Sequence, residues 1–250
     1  MITHVKRAVL AAVCLVLPLS LATAADAAPP PVPPAAVSEA APAALPGAPT
    51  APAAPRLRAQ TARLGVAVGG LAVGTENRTG YNRDLFRHWN AGLDPADGCN
   101  TRNEVLIAEA VEPPTVGARC ALTGGAWWSY YDEVRVTPAG ALDIDHMVPL
   151  AEAWDSGAYG WTPARREAYA NDQGQSTSLI AVTARSNRAK ADQDPAQWLP
   201  PAQGALCRYA AEWTATKLRW GLTVDENEQD RLFSIAAGCT TTEVVWETAP

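Results

Sequence analysis

Two stretches of the chain bring together side chains able to move protons and hold charge. The first is Leu142-Asp143-Ile144-Asp145-His146-Met147-Val148-Pro149-Leu150, and the second is Ser186-Asn187-Arg188-Ala189-Lys190. Leu142 and Ile144 alternate with Asp143 and Asp145, which at the two-residue period of a strand puts the aliphatics on one face and both carboxylates on the other, facing a cleft. His146 follows directly, and Pro149 lacks the backbone donor needed to continue a central ladder, so the strand is expected to end near the histidine. A neutral imidazole, with an unperturbed pKa of about 6.5, can accept a proton at physiological pH, and carboxylate and amide oxygens suit hard divalent cations. On its own an Asp-His pair reads as a structural ion pair. Here it is followed in order by Pro149, by a second apolar run Leu179-Ile180-Ala181-Val182, and by Thr183, which can cap a short helix through Asn187 to Lys190.

The run Asp-His-x-Val-Pro-Leu, the Leu-Ile-x-Val strand and the run Ser-Asn-Arg-x-Lys-x-Asp-x-Asp-Pro-x-x-Trp together resemble the HNH endonucleases of the ββα-metal (His-Me finger) superfamily. Within it the chain is most similar to the GmrSD C-terminal nuclease family, which includes many secreted actinobacterial proteins. The resemblance spans Asp143 to Trp198, with family-like flanks at Gly80-Tyr81-Asn82-Arg83-Asp84 and Gly98-Cys99-Asn100-Thr101-Arg102. It implies His146 as general base, Asp145 as the first metal ligand and Asn187 as the ligand from the helix. The implied ion is one hard cation, Mg²⁺ with Mn²⁺ or Ca²⁺ as substitutes. Many HNH proteins have His where Asn187 stands and Asn where Ser178 stands, and no Cys pair surrounds the motif, so a structural zinc is not expected. Asp143 and Lys190 are accessory candidates, and Arg102, Arg185 and Arg188 are candidate nucleic-acid contacts. The activity implied is metal-dependent phosphodiester hydrolysis in nucleic acid, DNA ahead of RNA, by a monomer. The alternative is a non-catalytic secreted binding module, stabilised by disulfides, in which the Asp-His-Asn set is a structural ion site.

The elements that must position these residues begin well downstream of the N-terminus. Residues 1–27 read as a secretory signal peptide: Lys6 and Arg7 precede an apolar run that ends in small residues. That run is short of the ~20 apolar residues of a membrane span and is interrupted by Pro18, so export is expected, with no membrane attachment once the signal is removed. Residues 28–55 form an Ala/Pro-rich linker with too little apolar bulk to offset the entropy of ordering. Residues 56–250 are of ordinary single-domain length. With Lys+Arg 20 against Asp+Glu 26, binding nucleic acid by bulk charge is disfavoured. A local cation cluster is the workable alternative.

Cys14 leaves with the signal, and the remaining Cys99, Cys120, Cys207 and Cys239 are an even set in an exported chain. Of the three pairings the sequential one is simplest, Cys99 with Cys120 and Cys207 with Cys239. Arg56 to Val73 reads as a helix giving way to a Gly-rich strand or loop, and Asn100 or Thr101 caps a helix through Val111. Ala126 to Tyr131, Val134 to Val136 and the Asp143 strand read as an antiparallel meander. Thr162-Pro163 starts a helix in the insertion between the two motif strands, Asp194-Pro195 repeats that signal, and Gly204 to Leu218 and Asp225 to Gly238 are further helices. The expected class is α+β, a mostly helical single domain around a small antiparallel sheet that contains a ββα-metal motif with a helical insertion. The Trp residues and His88 are expected in packing roles.

Overall fold

The computed structural model describes residues 59–250. The expected signal peptide, the linker and Cys14 lie outside them. In chain order the elements are β1 (Gln60–Arg63), α1 (Leu64–Gly69), α2 (Thr101–Ala108), β2 (Ala110–Glu112), β3 (Thr115–Val116), β4 (Leu122–Thr123), β5 (Ala126–Ser129), β6 (Val134–Val136), β7 (Leu142–His146), α3 (Leu150–Asp155), α4 (Pro163–Ala170), β8 (Leu179–Thr183), α5 (Ala184–Lys190), α6 (Leu206–Trp220), α7 (Glu226–Gly238) and β9 (Glu243–Trp246). The class is mixed α and β, with seven α-helices among the described residues. Its strands are divided among four small sheets, β1-β9, β2-β5-β6, β3-β4 and β7-β8, rather than gathered into one. Among the described residues no helix is long and apolar enough to cross a membrane.

The antiparallel pair β7-β8 positions the motif residues, with Asp143 opposite Val182, Asp145 opposite Ile180 and His146 opposite Leu179. Because side chains alternate along a strand, Leu142, Ile144, Leu179 and Ala181 all point one way, onto Val105 and Leu106 of α2 and Trp127 of β5. Ile180 and Val182 point the other way, into the main core with Tyr131, Tyr209 and Trp213. Asp145 shares this second face, which is therefore covered over much of its length. Asp145 is only 4% exposed, and Asp143 is half-buried. Thr183 closes β8 and opens α5, its Oγ1 accepting from the Ser186 N–H at 3.3 Å.

Caps elsewhere follow the same logic. Asn100 accepts from the Asn103 N–H, Thr162 from the Arg165 N–H with Pro163 in the first turn, and Asp225 from the Glu228 N–H. Other sequence expectations need correction. Helix α2 stops at Ala108, because residues 110–112 pair with β5 instead of extending the helix to Val111. Strand β6 pairs with β5, but the turn at Ala139–Ala141 redirects the chain and β7 pairs with β8 alone, so the meander ends one strand early. The stretch expected to begin with a helix runs instead from strand β1 into helix α1. At Asp194-Pro195 the carboxylate accepts from the Ala196 and Gln197 N–H groups, yet only a turn forms, since Pro200 and Pro201 follow within one further turn. Helix α3, inside the insertion, has no side-chain cap and carries no start signal in the sequence.

Both disulfides join the expected partners, Cys99 with Cys120 and Cys207 with Cys239, across separations of 21 and 32 residues. The second staples the start of α6 to the end of α7. Closing loops of these lengths stabilises the fold by roughly 3 to 4 kcal/mol per bridge in the chain-entropy treatment. Reduction is therefore expected to lower the melting temperature markedly. Thermal melts that superimpose with and without reductant, on protein whose thiols are shown to be free, would refute this.

Candidate active site

His146 ends β7 with its ring turned inward, 6% exposed. It stacks on Trp89 at 5.6 Å between ring centroids and on Tyr169 at 6.4 Å, and meets the His88 ring at right angles at 6.0 Å. Its Nε2 lies 2.9 Å from the carbonyl oxygen of Ala170. A carbonyl only accepts, so Nε2 carries the proton and Nδ1 is left as a lone-pair nitrogen. Burial pushes the imidazole pKa down to about 3, against the opposing effect of the Ala170 hydrogen bond, and the ring is neutral at physiological pH. The helical insertion thus contributes to the site, since Tyr169 and Ala170 close α4. Trp89 adopts a positive φ of 61°, a conformation that bulky residues rarely take. It is held there because the next residue, Asn90, donates its N–H to Asn171 and accepts from the Thr101 N–H with its carbonyl.

Asp145 Oδ2 accepts from the Tyr131 hydroxyl at 2.6 Å and from Lys190 Nζ at 2.5 Å. Lys190 is fully buried and also donates to the carbonyls of His146 at 3.0 Å and Met147 at 2.8 Å. One ammonium therefore ties the last turn of α5 to the end of β7. Burial pushes the Asp145 carboxyl up and the Lys190 amine down, and each is opposed by the charge of the other. Oδ1 of Asp145 makes no hydrogen bond among the described residues, and it belongs to a residue lining an open cleft of about 260 Å³ shared with His146, Asn187, Arg188 and Arg83.

Asn187, which lines the same cleft, donates its Nδ2 to Asp143 Oδ2 at 3.2 Å, and its side-chain oxygen makes no hydrogen bond among the described residues. Arg188 meets the same Asp143 oxygen at 3.3 Å. Asp145 Oδ1 and the Asn187 side-chain oxygen have no hydrogen-bond partner among the described residues, their residues line one cleft, and both are donor types that suit a hard divalent cation. The structure thus brings Asp143, Asp145, His146, Asn187 and Arg188 together. Lys190 lies beneath them, too deep to touch a substrate phosphate. Arg102 donates to the carbonyl of Leu142 at 3.1 Å, which braces β7 from below. Arg185 points toward Asp132 at 3.6 Å and does not line the cleft. Elsewhere, Glu76, Glu152 and Asp194 bring carboxylate oxygens within 4.8 Å of one another, beside Lys217, which is 2.8 Å from Glu152.

Sequence reasoning leaves Tyr131, Trp89, Tyr169 and Ala170 out of the site. Tyr131 belongs to an aromatic run that reads only as a strand, and Trp89 reads as a packing residue. A carbonyl such as that of Ala170 carries no side-chain signal at all. Arg83 stands in a family-like flank, with no role attached to it by the sequence.

Residues 116–235 match the family described as GmrSD restriction endonucleases, C-terminal domain, a stretch that includes Asp143, Asp145, His146 and Asn187. A curated protein of Arthroderma benhamiae, named "Uncharacterized secreted protein", is 42% identical over 160 residues, which is 64% of this chain and 76% of that protein. No solved structure matches. The chain belongs to one family with the Arthroderma benhamiae protein, and through residues 116–235 it is related to the nucleases of the GmrSD C-terminal domain family.

Proposed function

We propose that this member of the family is a secreted HNH-type endonuclease that hydrolyses phosphodiester bonds in nucleic acid, DNA ahead of RNA, in the cleft between β7 and α5. The observation that carries the reading is the arrangement around His146. Its Nε2–H is fixed on the Ala170 carbonyl, which leaves Nδ1 as the lone-pair nitrogen, and His146 lines one cleft with Asp145 and Asn187. Nδ1 would take the proton of a water attacking phosphorus, while the Ala170 carbonyl holds the tautomer and stabilises the imidazolium that forms. Asp145 Oδ1 and Asn187 Oδ1 would hold one hard cation, Mg²⁺ with Mn²⁺ or Ca²⁺ as substitutes, which when bound supplies positive charge against the phosphoryl oxygens and acidifies water. Lys190 and Tyr131 orient Asp145 by engaging Oδ2, and Asp143 orients Asn187 by accepting from its amide. Export is supported by the name of the Arthroderma benhamiae relative and agrees with two disulfides.

Incubation with supercoiled plasmid is the direct test. Mg²⁺ should support conversion to nicked and linear forms, and excess chelator should stop it. Asn187→Ala should require more Mg²⁺ for the same rate, and Asn187→His should shift the preference toward transition ions, which imidazole favours. Cleavage that continues undiminished in chelator would reject the metal-dependent reading. An unchanged Mg²⁺ requirement in Asn187→Ala would remove Asn187 from the ligand set.

A further inference from the structure

We infer that Arg83 is the residue of this cleft that grips a phosphate of the substrate strand, an assignment that rests on the cleft being a nucleic-acid site. Charge pairing singles it out. Three carboxylates lie in or at the edge of the cleft, and each already faces a protein cation: Asp143 has Arg188 at 3.3 Å, Asp145 has Lys190 at 2.5 Å, and Asp192 has Arg78 at 3.6 Å. Arg83 lines the same cleft, and among the described residues it has no carboxylate within ion-pair distance. It is thus the cleft's uncompensated cation in a chain whose formal net charge is -6.

Its position is built rather than incidental. Arg83 opens a single 3₁₀ turn, Arg83–Leu85, which Asn82 caps by accepting from the Asp84 N–H at 2.9 Å. The next residue, Phe86, is fully buried against Trp154 and Tyr169, so the turn is fastened to the core while Arg83 itself stays exposed. Arg83 and His146 line the same cleft of about 260 Å³, so a phosphate presented to that histidine lies in the space the guanidinium borders. A guanidinium also offers paired N–H donors that match two phosphate oxygens, which an ammonium cannot do. Arg188 is the weaker candidate because a phosphate would have to compete with Asp143 for it.

The test is binding of a fluorescein-labelled DNA duplex to the full chain in chelator, followed by anisotropy over a series of salt concentrations, alongside plasmid cleavage in Mg²⁺. Arg83→Gln should weaken binding by roughly tenfold or more, the scale on which a charge-assisted hydrogen bond contributes. It should also reduce the slope of log affinity against log salt by about one, as expected when one phosphate is no longer neutralised by the protein. Arg83→Lys should recover the slope but not the full affinity. Arg63→Gln, on β1 beside Glu243 and outside the cleft, should change neither. If wild type binds the duplex with an Arg83-dependent slope but cleaves nothing, the hydrolytic reading fails and this one stands. If Arg83→Gln still cleaves and binds with wild-type affinity and slope, this inference fails alone. Absence of duplex binding by wild type overturns this inference, and absence of plasmid cleavage in Mg²⁺ as well overturns both.

Discussion

His146→Ala is expected to cleave plasmid at least about 10²-fold more slowly than wild type at saturating Mg²⁺, the scale on which a general base contributes. Metal affinity should be retained, because the oxygens assigned to the cation come from Asp145 and Asn187 and not from the imidazole. Since the ring is buried and stacked on Trp89 and Tyr169, the variant will lose some stability, so its cleavage must be compared at a temperature where both proteins are folded. His146→Gln is a useful companion, because it keeps a side-chain donor for the Ala170 carbonyl and lacks a basic nitrogen. The burial has a signature of its own. With the folded pKa held down to about 3 and an ordinary value of 6.5, the unfolded chain takes up a proton that the folded one refuses as pH falls from 6.5 toward 3. Stability should therefore decline across that window, and His146→Ala should decline less. Cleavage by His146→Ala within about threefold of wild type would sink the assignment, since loss of a transition-state interaction must appear in the rate.

The parts of this site that the sequence discloses are those encoded locally. Alternation of Leu142, Asp143, Ile144 and Asp145 is a property of adjacent residues, so the strand and the face of each side chain are legible. Thr183, Ser186 and Asn187 lie within one cap and one turn, so the short helix is legible too. What covers a face is a different matter. Alternation puts Asp145 opposite the aliphatics but does not say that Tyr131, 14 residues upstream, and Lys190, 45 residues downstream, will close over it. In place of an open acid face there is a buried ion pair with one oxygen left toward the cleft. The same limit applies to Trp89, which stacks on His146 with a positive φ while the next residue, Asn90, donates to Asn171 and accepts from Thr101. Where local signals compete, pairing wins. Residues 110–112 have helical spacing but meet strand β5, and the Asp194-Pro195 start has a cap but no room before the next prolines.

Lys190→Met is expected to be the most destabilising single change near the site, lowering unfolding free energy by about 3 to 5 kcal/mol, the range for removing one partner of a buried ion pair. The acceptors that depend on this ammonium explain the size. Nζ neutralises Asp145 and is also the donor for the His146 and Met147 carbonyls, while the Tyr131 hydroxyl remains as the second donor to Asp145 Oδ2. Deleting the ammonium leaves a carboxylate 4% exposed beside two carbonyls deprived of a partner. The carboxyl would respond by taking a proton, so the loss should be smaller at low pH than at neutral pH. Asp145→Leu in the Lys190→Met background should recover much of the stability, because a buried pair can be replaced by apolar groups at little cost. That double variant should nevertheless remain inactive, since it lacks an oxygen assigned to the cation. Urea unfolding at two pH values measures both effects. A loss below about 1 kcal/mol for Lys190→Met at neutral pH, within the range of exposed ion pairs, would mean that the ammonium is not neutralising Asp145, and the account of how that carboxylate is oriented would have to be abandoned.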